Sequence, residues 1–241
     1  MNEYQNQFKD LSIVRKDSSV VSTEARKFLL NVYNWMAMGL ALTAIIAYGI
    51  STSETLLGVI FSNRILFWGI IILQFGVVIA LSAAINKMPV LLAIGAFFLY
   101  AALTGLTLSS IFVLYTRSSI ASTFLICSLM FGSVSVFGYI TKMDLSRFGT
   151  FMFMGLIGII IASVVNIFLK SSMLYWIISY AGVVIFVGLT AWDTQKLKRM
   201  SQEMNFDSEQ GKKAAVLGAL TLYLDFINMF LFLLRIMGSR K

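Results

Sequence analysis

The chain has 241 residues, 59% hydrophobic and only 12% charged, with a formal net charge of +8 and a mean hydropathy of +0.85. Soluble domains carry about 25% charged residues, so this composition excludes a soluble globular domain and points to a polytopic membrane protein. Histidine is absent and Cys127 is the single cysteine, which removes a Ser–His relay, a His-ligated metal and a disulfide framework; the positive charge reads as a determinant of membrane orientation, not of nucleic-acid binding.

Residues 1–27 are polar and mixed in sign, with Glu3, Lys9, Asp10, Arg15, Lys16, Asp17, Glu24, Arg26 and Lys27. They show no short apolar core followed by a small-residue cleavage site, so no cleaved signal peptide is expected, and they read as a flexible tail. Seven apolar runs follow: Phe28–Ile50, Ile65–Ile85, Val90–Leu114, Ile120–Ile140, Phe148–Phe168, Met173–Trp192 and Ala214–Met237. Each is near the roughly 20 residues that cross a bilayer as a helix, whereas barrel strands are shorter and alternate polar with apolar. The predicted fold class is therefore all-α. It is a transmembrane bundle of seven spans over 28–237, flanked by the tail 1–27 and a short C-terminal tail 238–241. Tight links are expected at Asn86–Pro89 and Tyr115–Ser119. Small residues four apart, as at Ala101/Gly105, Ser128/Gly132, Gly158/Ala162 and Ala214/Gly218, would let helices approach closely.

Thirteen of the 19 Lys and Arg fall in the tail, the Lys87 link, the Lys142–Arg147 loop and the connection Thr194–Lys213. The other six, including Arg64, Arg117, Lys170 and Arg235, fall on the opposite side. The positive-inside rule then places the N-terminus in the cytoplasm and the C-terminus outside. A re-entrant last segment would instead bring both termini inside.

Few polar residues lie deep in the spans: Asn31 and Asn34 in the first, Gln74 in the second, Asn166 in the fifth, and Asp225 with Asn228 in the seventh. A charge at the bilayer centre costs about 2.5–3.5 kcal/mol on insertion scales. Asp225 must therefore face the protein interior, a water-filled cavity or a partner, or carry a proton. It reads either as a functional site or as a neutral acid that holds a neighbouring helix. Asn228 lies three residues on and shares its helix face. Asp193 ends the sixth span beside Lys196, Lys198 and Arg199. It reads either as an interfacial acid paired with a lysine or as the partner of Asp225, since consecutive helices pack antiparallel. Counted from Lys213, Asp225 sits about 18 Å into its helix while Asp193 looks shallower, so the two meet only if the sixth helix runs deeper than its hydropathy suggests or the seventh starts below the membrane surface. Two carboxylates about 4 Å apart repel by roughly 4 kcal/mol at an effective dielectric of 20, and one proton held between them relieves this. Gln74 and Asn228 are expected to line the interior.

The first span reads VYNWMAMGLALTAIIAYGI (Val32–Ile50), the third contains Gly105-Leu106-Thr107-Leu108-Ser109, the sixth ends AWDTQ (Ala191–Gln195), and the seventh carries LYLDFINMFLFLLR (Leu222–Arg235). Together these resemble the Bax inhibitor-1 family over nearly the whole chain after the tail. The resemblance implies a bundle whose seventh helix is central and surrounded by the other six. It also implies a pH-dependent leak of cations, chiefly calcium, gated by an aspartate pair that maps to Asp193 and Asp225. In the bacterial branch with that gate, an acid and a base on the second helix support the pair. Here Gln74 stands where the acid is expected, and Lys87 is the only base offered. Calcium takes six to eight oxygens, so no fixed metal site is expected and any calcium would pass mostly hydrated near the pair. No cofactor, no enzymatic activity and no nucleic-acid partner are expected. An alternative, also implied by the resemblance, is a non-conducting modulator of a membrane-anchored ATP-dependent protease or of a cell-death partner. An intramembrane aspartyl protease is a third reading, but Leu222-Tyr223-Leu224 stands where Gly-x-Gly would precede the aspartate. The family form favours a bacterial inner membrane.

Overall fold

The computed structural model describes residues 2–203 and 207–241, with side chains placed for residues 25–202 and 207–241. Its elements are helices: α1 (Asn2–Ser51), α2 (Glu54–Ser62), α3 (Arg64–Ala84) with a 3-10 turn at Ile85–Lys87, α4 (Val90–Leu108), α5 (Ile111–Leu114), α6 (Arg117–Ile140), α7 (Ser146–Leu169), α8 (Ser172–Glu203) and α9 (Glu209–Met237). Seven helical segments are long and apolar enough to cross a membrane: 25–51, 64–87, 90–114, 117–140, 146–169, 172–202 and 209–237. The chain is an all-α polytopic bundle, and its spans coincide with the seven apolar runs to within a few residues, except where polar residues extend the sixth and seventh.

The helix ends follow local chemistry. Asn63 caps α3 by accepting from the backbone N–H of Ile65 and Leu66. Ser53, Thr116 and Ser208 cap α2, α6 and α9 in the same way, each satisfying a donor that the first helical turn leaves free. Pro89 precedes α4 in an extended conformation, where its missing N–H costs nothing. α1 begins at Asn2, so the polar stretch expected as a flexible tail continues the first span as helix; residues 1–38 contain neither Gly nor Pro to break it. The third run divides at Ser109–Ser110, whose hydroxyls donate to the carbonyls of Leu106 and Thr107.

α9 is the axis of the bundle. Two-thirds of the residues in its most apolar stretch are buried, against about one in nine for the spans formed by α3 and α7. It packs on α1, α4, α6 and α8. The expectation that all six other spans surround it is corrected in part: α3 packs chiefly on α4, and α7 on α8. These two outer spans have the highest mean hydropathies, 2.4 and 2.5, and lipid accepts a helix that is apolar all round. The chain end pairs with the link between the third and fourth spans, as Thr116 N–H donates to Ser239 O and Lys241 N–H to Leu114 O. α9 therefore runs through the bundle to the face opposite its start, which excludes a re-entrant last segment.

Candidate functional site

Asp193 on α8 and Asp225 on α9 are 7% and 4% exposed. Their carboxyl groups lie within hydrogen-bond reach of each other. The register of the hairpin explains how. Leu197 packs where a side chain on Gly218 would sit, and Phe232 packs at Gly182. Extending that register, Asp225 lies about a turn, roughly 5 Å, farther from the α8–α9 connection than Asp193. Helical side chains lean toward their own N-terminus. In an antiparallel pair the two carboxyls therefore lean toward each other and close that gap. α8 also continues to Glu203 and α9 starts at Glu209, so both helices extend past the apolar runs.

Two oxygens of like-charged groups in contact need a proton between them. One shared proton satisfies one oxygen of each carboxyl. Among the described residues no donor faces the fully buried Oδ2 of Asp225, and no other hydrogen bond reaches either carboxyl; Lys196 acts on Asp193 through its charge.

The residues flanking Asp193 fix α8 in place. Gly138 of α6 lies against the backbone of Ala191, and Gly149 of α7 against the ring of Trp192; a Cβ at either position would collide. Thr194 Oγ1 donates to Ser135 Oγ at 3.4 Å. Gln195 clamps the α6–α7 link: its Oε1 accepts from Leu145 N–H at 2.9 Å and its Nε2 donates to Met143 O at 2.7 Å. Arg199 donates to the same Oε1 and to Asp144 at 2.7 Å. The exposed Asp144 carboxyl is held well below the usual carboxylate range, chiefly by the Arg199 guanidinium and by the backbone N–H and hydroxyl of Ser146. These positioning roles of Gly138, Gly149, Thr194 and Gln195 went unread in the sequence. Within the D-T-Q element only the aspartate announces itself, because a threonine or a glutamine near a helix end has many ordinary partners.

Of the other polar residues singled out, Asn228 lines a cavity with both aspartates and donates to Leu224 O. Gln74 does not join them. It donates to Thr104 Oγ1 at 2.7 Å, beside a second polar cluster in which Thr43 bonds Tyr223 at 2.7 Å and Ala101 O at 2.8 Å. Tyr223 and Asp225 are two residues apart, about 200° around α9, so the two clusters occupy opposite faces of the helix. Lys87 is exposed at the end of the 3-10 turn; the base that lines the cavity with the pair is Lys196, one turn beyond Asp193 and 5.5 Å from the Trp192 ring centroid.

That cavity, about 650 Å³, lies between α7, α8 and α9. Among the described residues no group of three His, Cys, Asp or Glu could hold a metal. The two carboxyls and the Asn228 amide offer fewer oxygens than the six to eight of calcium, so a divalent ion here would keep most of its water.

The model of a family described as inhibitor of apoptosis-promoting Bax1 matches residues 25–241. The inner membrane protein YbhL of Escherichia coli strain K12 is 51% identical over 229 residues, which is 94% of this chain and 98% of that protein. An uncharacterised protein of Borreliella burgdorferi is 49% identical over 215 residues, 89% of this chain and 93% of its own. An uncharacterised protein of Rickettsia prowazekii is 44% identical over 218 residues, 90% and 91% respectively. The chain is an integral membrane protein that belongs to the Bax inhibitor-1 family.

Proposed function

We propose that this protein is a pH-sensitive cation leak, with calcium as the ion carried and the Asp193–Asp225 pair as its gate, in a bacterial inner membrane with the N-terminus in the cytoplasm. The observation that supports this reading is the carboxyl–carboxyl contact inside a membrane-spanning bundle, where no hydrogen-bond donor among the described residues reaches the buried Oδ2 of Asp225 and Lys196 acts on Asp193 only through its charge. The proton count of such a pair sets the force between α8 and α9. With a shared proton the two helices are held together. Without it two like charges about 4 Å apart repel by roughly 4 kcal/mol at an effective dielectric of 20, and a passing cation takes the place of the proton. No bond is made or broken, so the reading is not that of an enzyme. The orientation rests on the 13 of 19 basic residues that fall on the N-terminal side.

The test is calcium flux into liposomes holding only the purified protein, followed with an enclosed dye across a pH series. Flux is expected to depend on pH. Asp193→Asn or Asp225→Asn should each flatten that dependence, and the double variant should add little, because coupled groups do not act additively. Absence of calcium flux, or a normal pH profile in both single variants, refutes the gate.

A further inference from the structure

The cavity at the aspartate pair opens sideways. Its α7 wall is formed by residues that face lipid: Phe153 is 51% exposed, Ile160 54% and Ile167 69%. The N-terminal half of α7 is tied to α8 through Gly149 on Trp192, Gly155 on Ile185 and Met152 on Gly188. Beyond Ile159 every α7 residue is at least partly exposed. The result is a crevice between the C-terminal half of α7 and α9, reachable from the bilayer, with the pair at its inner wall.

At the inner wall of this crevice the unspent hydrogen-bonding capacity is that of a carboxyl. Ser163 donates to Ile159 O at 2.6 Å, Thr221 to Leu217 O at 3.1 Å and Asn228 to Leu224 O at 2.8 Å; both hydroxyls and one of the two Asn228 amide hydrogens are turned back onto their own helices. Asp225 lines the crevice, and its buried Oδ2 meets no hydrogen-bond donor among the described residues. Asp193, Asp225 and Lys196 are the charged residues of the lining. Lys196 is exposed and held at Trp192, where its charge acts on Asp193. A wall of apolar side chains around a few convergent polar groups, in a cavity of about 650 Å³, is the ordinary form of a small-molecule site. Here the ligand must supply a donor to a carboxyl and an apolar body to the walls.

We infer that the crevice binds a lipophilic amine, an ammonium group on an apolar chain, which enters from the bilayer and donates to Asp225. The ammonium and a second proton then compete for the Asp225 carboxyl, and a bound amine holds the pair without a passing ion. The site rests on the crevice and on the buried Asp225 carboxyl in its lining, not on conduction.

The experiment uses the full-length protein in phospholipid nanodiscs and a dodecylamine bearing a diazirine near its nitrogen. After irradiation the labelled positions are mapped by peptide mass spectrometry. Label is expected on crevice residues such as Ile160, Leu224 and Phe232. Unmodified dodecylamine should displace it, and dodecanol of the same length should not. Labelling should fall at least tenfold in Asp225→Asn. It should fall as far in Ser163→Trp, which fills the crevice without touching the pair and so decides the matter if the first variant does not fold. Label spread evenly over the lipid-exposed faces of α3 and α7, displacement by dodecanol as good as by the amine, or undiminished labelling in Ser163→Trp overturns the inference. Liposomes that pass no calcium together with crevice labelling would remove the leak and leave this site standing.

Discussion

Gly138→Ala tests how closely the position of Asp193 depends on backbone contact between α6 and α8. A Cβ at residue 138 would overlap the carbonyl oxygen of Ala191 and lie 3.0 Å from both its carbonyl carbon and its Cα. Carbon atoms rest at about 3.5–4.0 Å, so α6 and α8 must separate by roughly 0.5–1 Å. The obstacle is backbone, which cannot rotate away as a side chain can. Overpacking of this kind costs about 1–3 kcal/mol. Gly132→Ala is the matched control: it lies on the same helix, and a Cβ there meets nothing within 4 Å. Both changes gain up to about 1 kcal/mol of helix propensity, which cancels in the comparison. At about 2–4 °C per kcal/mol for a chain of this size, Gly138→Ala should melt roughly 2–12 °C below Gly132→Ala. The assay is thermal unfolding of both variants in one detergent, followed by tryptophan fluorescence. The calcium flux profile of Gly138→Ala should also shift, because Ala191 is two residues from Asp193. Equal melting of the two variants would show that the α6–α8 contact does not position the site.

Further outcomes follow from the surroundings of the pair. Gln195→Leu leaves the buried Leu145 N–H and the Met143 carbonyl without partners, which should cost about 1–3 kcal/mol and speed amide hydrogen exchange at residues 141–146. Asp144 has a folded pKa below its unfolded value of about 4. Its contribution is therefore present above that value and is lost as pH falls through the lowered one; across about pH 5 to 8 it stays ionised, so Asp144→Asn should leave the pH profile of flux unchanged. In Cys127→Ala protein, Ser208→Cys and Lys241→Cys should react with a membrane-impermeant thiol reagent from opposite faces, Ser208→Cys from the cytoplasmic one; labelling of both from the same face would contradict the through-running α9.

The fold was legible where physics acts on long stretches. A run of about 20 apolar residues has few ways to satisfy its backbone in lipid except as a helix, so each span could be read off the chain. The features that escaped were short or polar. α2, ETLLGVIFS, is nine residues long and too short to register as a span. The last three turns of α8, beyond Trp192, are polar and project past the apolar run, so hydropathy ends the helix early. The site was legible in proportion to the cost of burying each group. Asp225 is expensive in a membrane and therefore conspicuous. Gln74 is also costly there, but the cost says only that an amide must find a partner. It finds Thr104, on the far side of α9 from the pair. Lys196 was legible as one of three neighbouring bases that could pair with Asp193, and its place one turn on, on the same face of α8, makes it the one whose charge acts there.

The two acids of the pair are not held alike. Asp193 sits between residues that are each fixed to another element: Ala191 against Gly138, Trp192 against Gly149, Thr194 on Ser135 and Gln195 on the α6–α7 link. For Asp193 to move, backbone packing and three side-chain contacts must give way together, and packed interiors do not deform continuously. Asp225 is held by its own helix and by Asp193, and on its open side it faces the crevice rather than a packed neighbour. The C-terminal half of α7, which forms the other wall of that crevice, makes no comparably close glycine contact beyond Gly155. A change in the charge of the pair therefore acts on a fixed carboxyl and a less constrained one, and the displacement goes toward the crevice side of α9 and the outer half of α7.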